Sequence, residues 1–144
     1  LPESKSGKQL LEVEKILLSQ PNFSTQIVRL GGLIGDDRHP LKQLAKLPII
    51  HNPEAPINLI HKNDAIGLLR YLSEQALWQK IYHGVAPWHP TKKDFYLHAA
   101  KQLQISSPKF ISEIGVATKV VTDPYIELGA YRFVEPKLGL RQKL

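Results

Sequence analysis

Apolar residues recur at helical spacing near the start of the chain, and a β-branched run follows them. The spacing predicts an amphipathic helix over residues 7–19, with an apolar side formed by Leu10, Leu11, Val13, Leu17 and Leu18. Pro21 ends the pattern, because proline disfavours a helix in the residue before it. Residues 25–30 are then apolar and β-branched and lead directly into Gly31, which is typical of a parallel strand that ends at a ligand-facing loop.

The middle of the chain alternates between helical and extended patterns. A short helical piece is expected over residues 41–47, and a short extended segment over 57–60. A helix is predicted over residues 63–77 and a further strand over 80–86. The inward side of that helix is expected to hold Ile66, Leu68, Leu69, Leu72 and Ala76.

The last third carries a helix-capping signal and weaker patterns. Thr91 precedes an acid at position 94, so the threonine is expected to cap a helix that reaches residue 103. Residues 119–121 form a strand candidate, and 124–128 a single helical turn. Alternating strands and helices favour an α/β architecture. With only about three strand candidates, the chain either docks on a missing half or closes a small sheet of its own.

Composition narrows the class of protein. A chain of 144 residues with 42% hydrophobic residues is long enough for one globular domain with a real core. The absence of cysteine excludes disulfides and thiolate chemistry and fits a reducing compartment. No apolar run approaches the roughly 20 residues that cross a bilayer, so a soluble, cytoplasmic protein is expected. The chain begins at Leu1 and contains no methionine, which indicates a fragment.

Charge and histidines exclude some functions. The net charge of +6 is scattered, without a basic stripe interleaved with aromatics, so a solvated surface is favoured over nucleic-acid binding. Six histidines are present, but none forms a pair at H-x-x-x-H spacing, and no metal site is expected. His83, His89 and His98 are the three that a fold would have to bring together. No G-x-S-x-G motif indicates a serine hydrolase.

Three stretches carry a resemblance to a known family. Glu14 lies on the first predicted helix, the following strand runs into the glycine-rich stretch 31–35, and the sequence IHKND at 60–64 opens another helix. This order resembles the second half of an extended short-chain dehydrogenase/reductase of the NAD-dependent epimerase/dehydratase family. The resemblance implies an α/β fold: the C-terminal part of a Rossmann-type doubly wound sheet plus a small substrate-side lobe. Residues 1–144 would be a single fragment in which the end of the NAD(P)-binding domain is interleaved with that lobe.

The family's catalytic pair is absent from the matching positions. The family has a tyrosine and a lysine four residues apart, and a glutamate four residues beyond the lysine. If Glu14 is that glutamate, the lysine position holds Leu10 and the tyrosine position holds Ser6. Lys5 and Lys8 do not fall at the right turn of the helix and are expected to be solvated. Catalysis by the usual pair is therefore not expected.

The resemblance implies the remaining site residues. Gly31, Gly32 and Leu33 would run beneath the nicotinamide of NAD or NADP, whereas the alternative is a tight turn without a ligand. As a phosphate loop, the stretch lacks the G-x-G-x-x-G spacing followed by a helix. The main dinucleotide loop would lie in the preceding half of the protein.

Substrate contacts are implied for Asn58, His61 and Trp88. His61 can also hydrogen-bond to Asp64, and Asn63 or Asp64 can cap the helix, which is the structural interpretation. Trp88 and the adjacent histidine line a cleft or, alternatively, pack at the surface. In the family an arginine often lies shortly before the IHKND motif, but residues 55–58 of this chain contain no cation. The diphosphate of a nucleotide-sugar substrate would therefore lack its usual partner.

The expected function is the substrate-side region of an NAD(P)-dependent epimerase/dehydratase-like or reductase-like protein without the usual Tyr/Lys pair. Its expected partners are the missing N-terminal half of the same protein and a small-molecule substrate, with a homodimer as a further option. Neither nucleic acid nor a membrane is expected. The alternatives are a non-catalytic NAD(P)-binding sensor and an interaction module.

Overall fold

Helices alternate with short strands through the part of the chain that the structure, a computed structural model, describes: residue 2, residues 4–35, residue 38, and residues 49–112, 119–123 and 131–138. The helices are α1 (Lys5–Leu18), α2 (Lys62–Glu74) and α3 (Lys92–Leu103). The strands are β1 (Gln26–Leu30), β2 (Gly32–Ile34), β3 (Ile49–His51), β4 (Leu59–His61), β5 (Lys80–Gly84) and β6 (Lys109–Ile111). This order confirms the predicted α/β class. None of the described helices has the length and apolar character needed to span a membrane.

The strands form three parallel pairs: β1 with β5, β2 with β4, and β3 with β6. Main-chain hydrogen bonds link the first two pairs where β1 and β5 end. The Gly31 N–H donates to the Gly84 carbonyl at 2.9 Å, and the Ala86 N–H donates to the Leu59 carbonyl at 2.8 Å. The carboxyl ends of β1 and β5 therefore meet the neighbouring pair directly, and polar side chains from several elements gather there.

Two apolar clusters hold these elements together. One packs α3 against β2 and the segment after β5, and the other packs α2 against β4 and β5. Phe95 and Leu68, at the centres of the two clusters, are completely buried. Burying a side chain of that size contributes about 1.5–3 kcal/mol. The buried members are Ile34, Ile57, Ala86, Phe95, Ala99, Ala100 and Leu138 in the first cluster, and Ile60, Ala65, Leu68, Leu72 and Tyr82 in the second.

The predicted inward side of α2 is only partly correct. Leu68 and Leu72 are buried, as expected, but Ile66 is 65% exposed and Leu69 is also exposed. The sheet covers a narrow stripe of the helix, and residues one position beyond that stripe face outwards. Ala76 lies beyond the helix end, in a left-handed backbone conformation with φ of 50°, and is exposed.

Helix α1 carries its apolar side uncovered. None of its residues is buried within the described structure, and the exposed apolar residues are Leu10, Val13 and Ile16. Two polar contacts link α1 to β1 and to the residue that precedes it. The Thr25 hydroxyl donates to the Leu17 carbonyl at 3.0 Å, and Arg29 pairs with Glu14. The amphipathic pattern is therefore present without the packing partner that such a pattern normally has.

The remaining expectations for the elements divide into three groups. The capping role of Thr91 is confirmed, since its hydroxyl accepts the Asp94 N–H at 3.0 Å. The strand expected at 119–121 is wrong, because the side-chain amide of Asn58 bonds that backbone in place of a neighbouring strand. Strands β2, β3 and β6 were not predicted. The helical pieces expected at 41–47 and 124–128 lie outside the described residues.

Candidate functional site

A cavity of about 420 Å³ opens at the carboxyl end of β5. Its walls are mostly apolar, with a few polar groups converging on the space. That size and composition are typical of a small-molecule site, and the end of parallel strands is where α/β sheets usually bind ligands. The lining residues are His83, Val85, Pro87, His89, Val121, Thr122, Asp123, Tyr131, Arg132, Phe133 and Pro136.

His83 and Asp123 form a pair in the cavity wall. Asp123 is buried, and its Oδ2 accepts the backbone N–H of His83 at 2.7 Å. The same oxygen lies 3.9 Å from Nδ1 of the His83 ring, whose side chain is 34% exposed. The main-chain bond thus holds a carboxylate beside an imidazole that reaches the cavity.

An ion pair lies next to this histidine. Arg29 is in register with His83 across the β1–β5 pair, and its Nε donates to Glu14 Oε1 at 2.9 Å, with a second bond from Nη2 to Oε2. The hydrogen bond from the Arg29 guanidinium lowers the pKa of Glu14, and the charges of Arg29 and His83 act in the same direction. Glu14, the residue that resembles the family's glutamate, therefore joins α1 to β1.

His89 is held from the opposite wall. Its Nδ1 lies 3.1 Å from the carbonyl oxygen of Ile57. Because a carbonyl only accepts hydrogen bonds, Nδ1 carries the hydrogen, and in the neutral ring Nε2 is left as an acceptor. The structure therefore brings two of the three histidines considered above, His83 and His89, to one cavity. His98 is not in the cavity wall, and the described residues contain no group of three or more metal-ligating side chains.

Asp64 fastens the segment that closes the cavity on one side. It is completely buried at the start of α2 and accepts the backbone N–H groups of Val134 at 2.6 Å and Glu135 at 2.8 Å. The Tyr131 hydroxyl donates to the same carboxylate at 3.2 Å. Burial, followed by the Asp64 charge and this hydrogen bond, raises the pKa of Tyr131 to about 12. Tyr131 is therefore protonated at neutral pH and acts as a donor.

The predicted interaction between His61 and Asp64 is wrong. His61 is itself the N-cap of α2, because its Nδ1 accepts the Asn63 N–H at 3.3 Å. Neither Asn63 nor Asp64 caps the helix, since the oxygens of Asp64 are taken up by the segment 131–135. The motif is structural, but it joins two distant parts of the chain and is not confined to one helix end.

The predicted substrate residues lie around the cavity and are not in its wall. Asn58 holds the segment that includes Val121, with its amide donating to the Lys119 carbonyl and accepting the Val121 N–H, both at 2.9 Å. His61 is buried at the start of α2. Trp88 packs against Phe95, with ring centroids 6.4 Å apart. Their contact with a substrate stays a prediction.

The glycines at 31 and 32 allow two strands to approach closely. A Cβ on Gly31 would lie 2.7 Å from the Asn58 carbonyl oxygen, and a Cβ on Gly32 would lie 2.5 Å from a methyl carbon of Leu59. Gly31 leads directly into β2, which begins at Gly32, so the tight turn considered as the alternative is wrong. Leu33 is 38% exposed. The role of these residues in cofactor binding stays a prediction.

The positions of the family's catalytic pair lie on α1. Ser6 and Leu10 are both exposed, and neither lines the cavity. Sequence reasoning missed the function of Asp123 and Tyr131 in this site. Each lies in a stretch of weak pattern near the end of the chain, and the available signal was limited to His83 and His89 on either side of a predicted strand end.

Comparisons with known proteins found one similar curated sequence and several structures of the same fold. No family model matches the sequence. The protein YeeZ from Escherichia coli strain K12 is 33% identical over 139 residues, which are 94% of this chain and 50% of YeeZ. A putative NAD-dependent epimerase/dehydratase from Methylobacillus flagellatus has a similar structure, with a TM-score of 0.68, 22% identity, and 93% and 50% of the two chains covered.

The structure of RMD from Pseudomonas aeruginosa, complexed with NADPH, is also similar, with a TM-score of 0.70 and 10% identity. The match covers all of this chain and 52% of the RMD chain. The chain spans about half the length of the curated relative and of these solved structures. The predicted resemblance to the NAD-dependent epimerase/dehydratase family is confirmed at the level of the fold. The described α/β architecture corresponds to about half of a Rossmann-type epimerase/dehydratase, consistent with the predicted C-terminal half.

Proposed function

We propose that this chain is the C-terminal, substrate-side half of an NAD(P)-dependent epimerase/dehydratase-like or reductase-like protein without the usual Tyr/Lys pair. The observation that carries the proposal is the cavity at the carboxyl end of β5, in a fold whose solved neighbours include an NADPH complex. A small-molecule substrate fits a space of this size. The absence of cysteine agrees with a cytoplasmic location.

The residues at the start of β2 fit part of a nicotinamide cofactor. The exposed Leu33 offers an apolar contact surface, and together with Gly31 and Gly32 it would contact the nicotinamide end. The N–H groups of both glycines are already bonded to main-chain carbonyls, so they are not free to bind phosphate. The pyrophosphate would therefore be held by the other half of the protein. When bound, NAD(P) supplies hydride transfer.

The uncovered side of α1 supports a missing half as the partner. Three apolar side chains, those of Leu10, Val13 and Ile16, are at least half exposed there. An amphipathic helix is stabilised mainly by packing of its apolar face. We expect part of the N-terminal half to cover this face, and a second copy of the protein is the further option.

A non-catalytic NAD(P)-binding sensor is the second candidate function. The residues that favour it are Ser6 and Leu10, because neither side chain exchanges protons near neutral pH as a tyrosine–lysine pair does. A sensor needs the cofactor and the cavity but no group that transfers a proton.

The test uses the full-length protein in which the proposal places this chain. NADPH binding is measured by fluorescence titration for the wild type, Leu33→Gln and Leu97→Gln, whose original leucines are each 38% exposed. We expect Leu33→Gln to weaken binding at least tenfold and Leu97→Gln, on α3, to leave it unchanged. Equal affinity in both variants would remove Leu33 from the cofactor site, and wild-type protein that binds neither NADPH nor NADH would refute the proposed function.

Reduction assays then separate the two candidate functions. NADPH oxidation is followed with aldoses and small dicarbonyl compounds at saturating cofactor. Turnover of any of these supports the enzyme. Tight NADPH binding without turnover of any of them supports the sensor.

A further inference from the structure

We propose that His83 is the proton-transfer residue of the cavity, that Asp123 positions it, and that the ligand carries a hydroxyl or carbonyl group. This rests on the proposed function, whose family normally uses a tyrosine at this step. Neither Ser6 nor Leu10 can replace that tyrosine, and both lie outside the cavity wall. A proton-transfer group supplied by this chain would therefore lie in the cavity wall.

The position of His83 suits this role. It lies on β5 one residue before the strand ends, and its ring is one-third exposed toward the cavity. Catalytic groups in α/β proteins commonly lie at the carboxyl ends of parallel strands. Histidine also exchanges protons near neutral pH more readily than any other side chain.

Asp123 sets which ring nitrogen is available. Its carboxylate is fixed to β5 by the 2.7 Å bond from the His83 N–H, which leaves the same oxygen 3.9 Å from Nδ1. At that separation the negative charge favours the neutral ring form with its hydrogen on Nδ1. Nε2 is then the nitrogen that accepts or returns a proton, as in other histidines oriented by a carboxylate.

Other charged and titratable groups also lie near His83. On the β1 and α1 side, Arg29 is paired with Glu14, so its positive charge is balanced by a bidentate partner. On the cavity side the charged neighbour is Arg132, and the second histidine, His89, is the other titratable group. Asp123 is the carboxylate that contacts the backbone of β5 directly.

The cavity fits a ligand with one polar reacting group. The walls formed by Val85, Pro87, Val121 and Phe133 are apolar, and His89 Nε2 provides a second acceptor. In the oxidative direction the O–H bond of the ligand hydroxyl breaks and its proton goes to the lone pair of His83 Nε2. The O–H electron pair forms the second C–O bond while the C–H bond on the same carbon breaks, and its hydride goes to NAD(P)⁺. In the reductive direction the carbonyl carbon takes a hydride from NAD(P)H, and the imidazolium returns the proton to the carbonyl oxygen.

The experiment compares His83→Ala, Asp123→Asn and His98→Ala in the full-length protein, with NADPH and the same aldoses and small dicarbonyls. We expect His83→Ala to lower kcat about 100-fold or more, within the range for general acid–base groups. Added imidazole should restore part of that kcat, which a structural role would not allow. His98→Ala, outside the cavity, should retain wild-type kcat.

A second measurement does not depend on substrate, and its wild-type part does not depend on the folding of a variant. Nitrogen-15 NMR of the histidine side chains in the wild type should show the neutral His83 ring with its hydrogen on Nδ1, and Asp123→Asn should shift it toward the Nε2–H form. A wild-type ring with its hydrogen on Nε2 would overturn the proposal.

The outcomes of the kinetic experiment separate the two proposals. Unchanged kcat in His83→Ala overturns the role of His83 and leaves the proposed function standing. Wild-type protein that binds NADPH and reduces none of the compounds overturns the role of His83 and supports the sensor. Wild-type protein that binds neither NADPH nor NADH overturns the proposed function itself.

Discussion

Asp64 is the residue whose replacement should have the largest effect on the cavity. The change Asp64→Asn keeps the size of the side chain and removes one of its two acceptor oxygens. In the structure Oδ1 accepts from Val134 and Tyr131, and Oδ2 accepts from Glu135. With a single oxygen left, at least one buried N–H must face the new amide N–H₂ group without an acceptor.

The magnitude follows from these bonds. A hydrogen bond to a charged group contributes about 1.5–3 kcal/mol, and a neutral one about 0.5–1.5 kcal/mol. Losing one charged bond and converting the other two to neutral bonds should reduce the free energy of unfolding by about 2–5 kcal/mol. Relief from burying a charge offsets part of the loss and is the reason for the lower limit. Tyr131→Phe removes only the phenol donor and should cost about 1 kcal/mol.

Denaturant unfolding of the full-length protein, together with hydrogen exchange of the 131–135 amides, measures both effects. We expect the Val134 and Glu135 amides to exchange faster in Asp64→Asn, while they stay protected in Tyr131→Phe. An asparagine variant with wild-type unfolding free energy and unchanged exchange at these two amides would refute the reasoning, because it would show that Asp64 does not hold this wall.

Denaturant unfolding also tests substitutions at three places in the fold: the glycines 31 and 32, the ion pair of Glu14, and the helix cap at Thr91. Gly31→Ala should be destabilising by about 1–3 kcal/mol, because the new Cβ meets a backbone oxygen at 2.7 Å. Gly32→Ala should cost less, because the atom its Cβ would meet belongs to a movable side chain. Equal losses of stability in the two variants would contradict this explanation. Glu14→Gln should remove the pairing with Arg29, worth about 0.5–1 kcal/mol. Since the pKa of Glu14 is lowered, the stability lost in Glu14→Gln should be largest above pH 4.5, the ordinary pKa of glutamate, and should disappear as the pH falls through the lowered pKa. A loss of stability that does not depend on pH would argue against the ion pair. Thr91→Ala should cost about 1 kcal/mol through loss of the N-cap, and Thr91→Ser should restore it; no loss in the alanine variant would deny the cap a role.

The sequence predicted the longer elements well, for physical reasons. Helix α1 was expected at residues 7–19 and is observed at Lys5–Leu18, because its apolar spacing persists over several turns. Strands β1 and β5 were also expected, since each is five residues long and rich in apolar or aromatic residues. The short strands β2, β3 and β6 were missed. A strand of three residues has no period to detect, and its formation depends on a partner that is distant in the chain.

The site was predicted less completely than the fold. The IHKND stretch was identified, but the partners of Asp64 are about 70 residues away, and two of the three are backbone N–H groups, which carry no sequence signal. The pairing of His83 with Asp123 likewise joins residues 40 positions apart. Asn58 was identified from its position, yet its observed contacts hold the cavity wall. Such long-range hydrogen bonds are determined by the folded topology and not by local patterns.

The most direct test of the central claim is an equilibrium titration of NADPH into two proteins, the full-length protein and the 144-residue chain alone. With NADH titrated in parallel, we expect one NADPH or NADH bound per full-length chain and no detectable binding to the 144-residue chain, because the Gly31 and Gly32 amides are already bonded to main-chain carbonyls. Failure of the full-length protein to bind either dinucleotide, or equal affinity in the isolated chain, would contradict the proposed function.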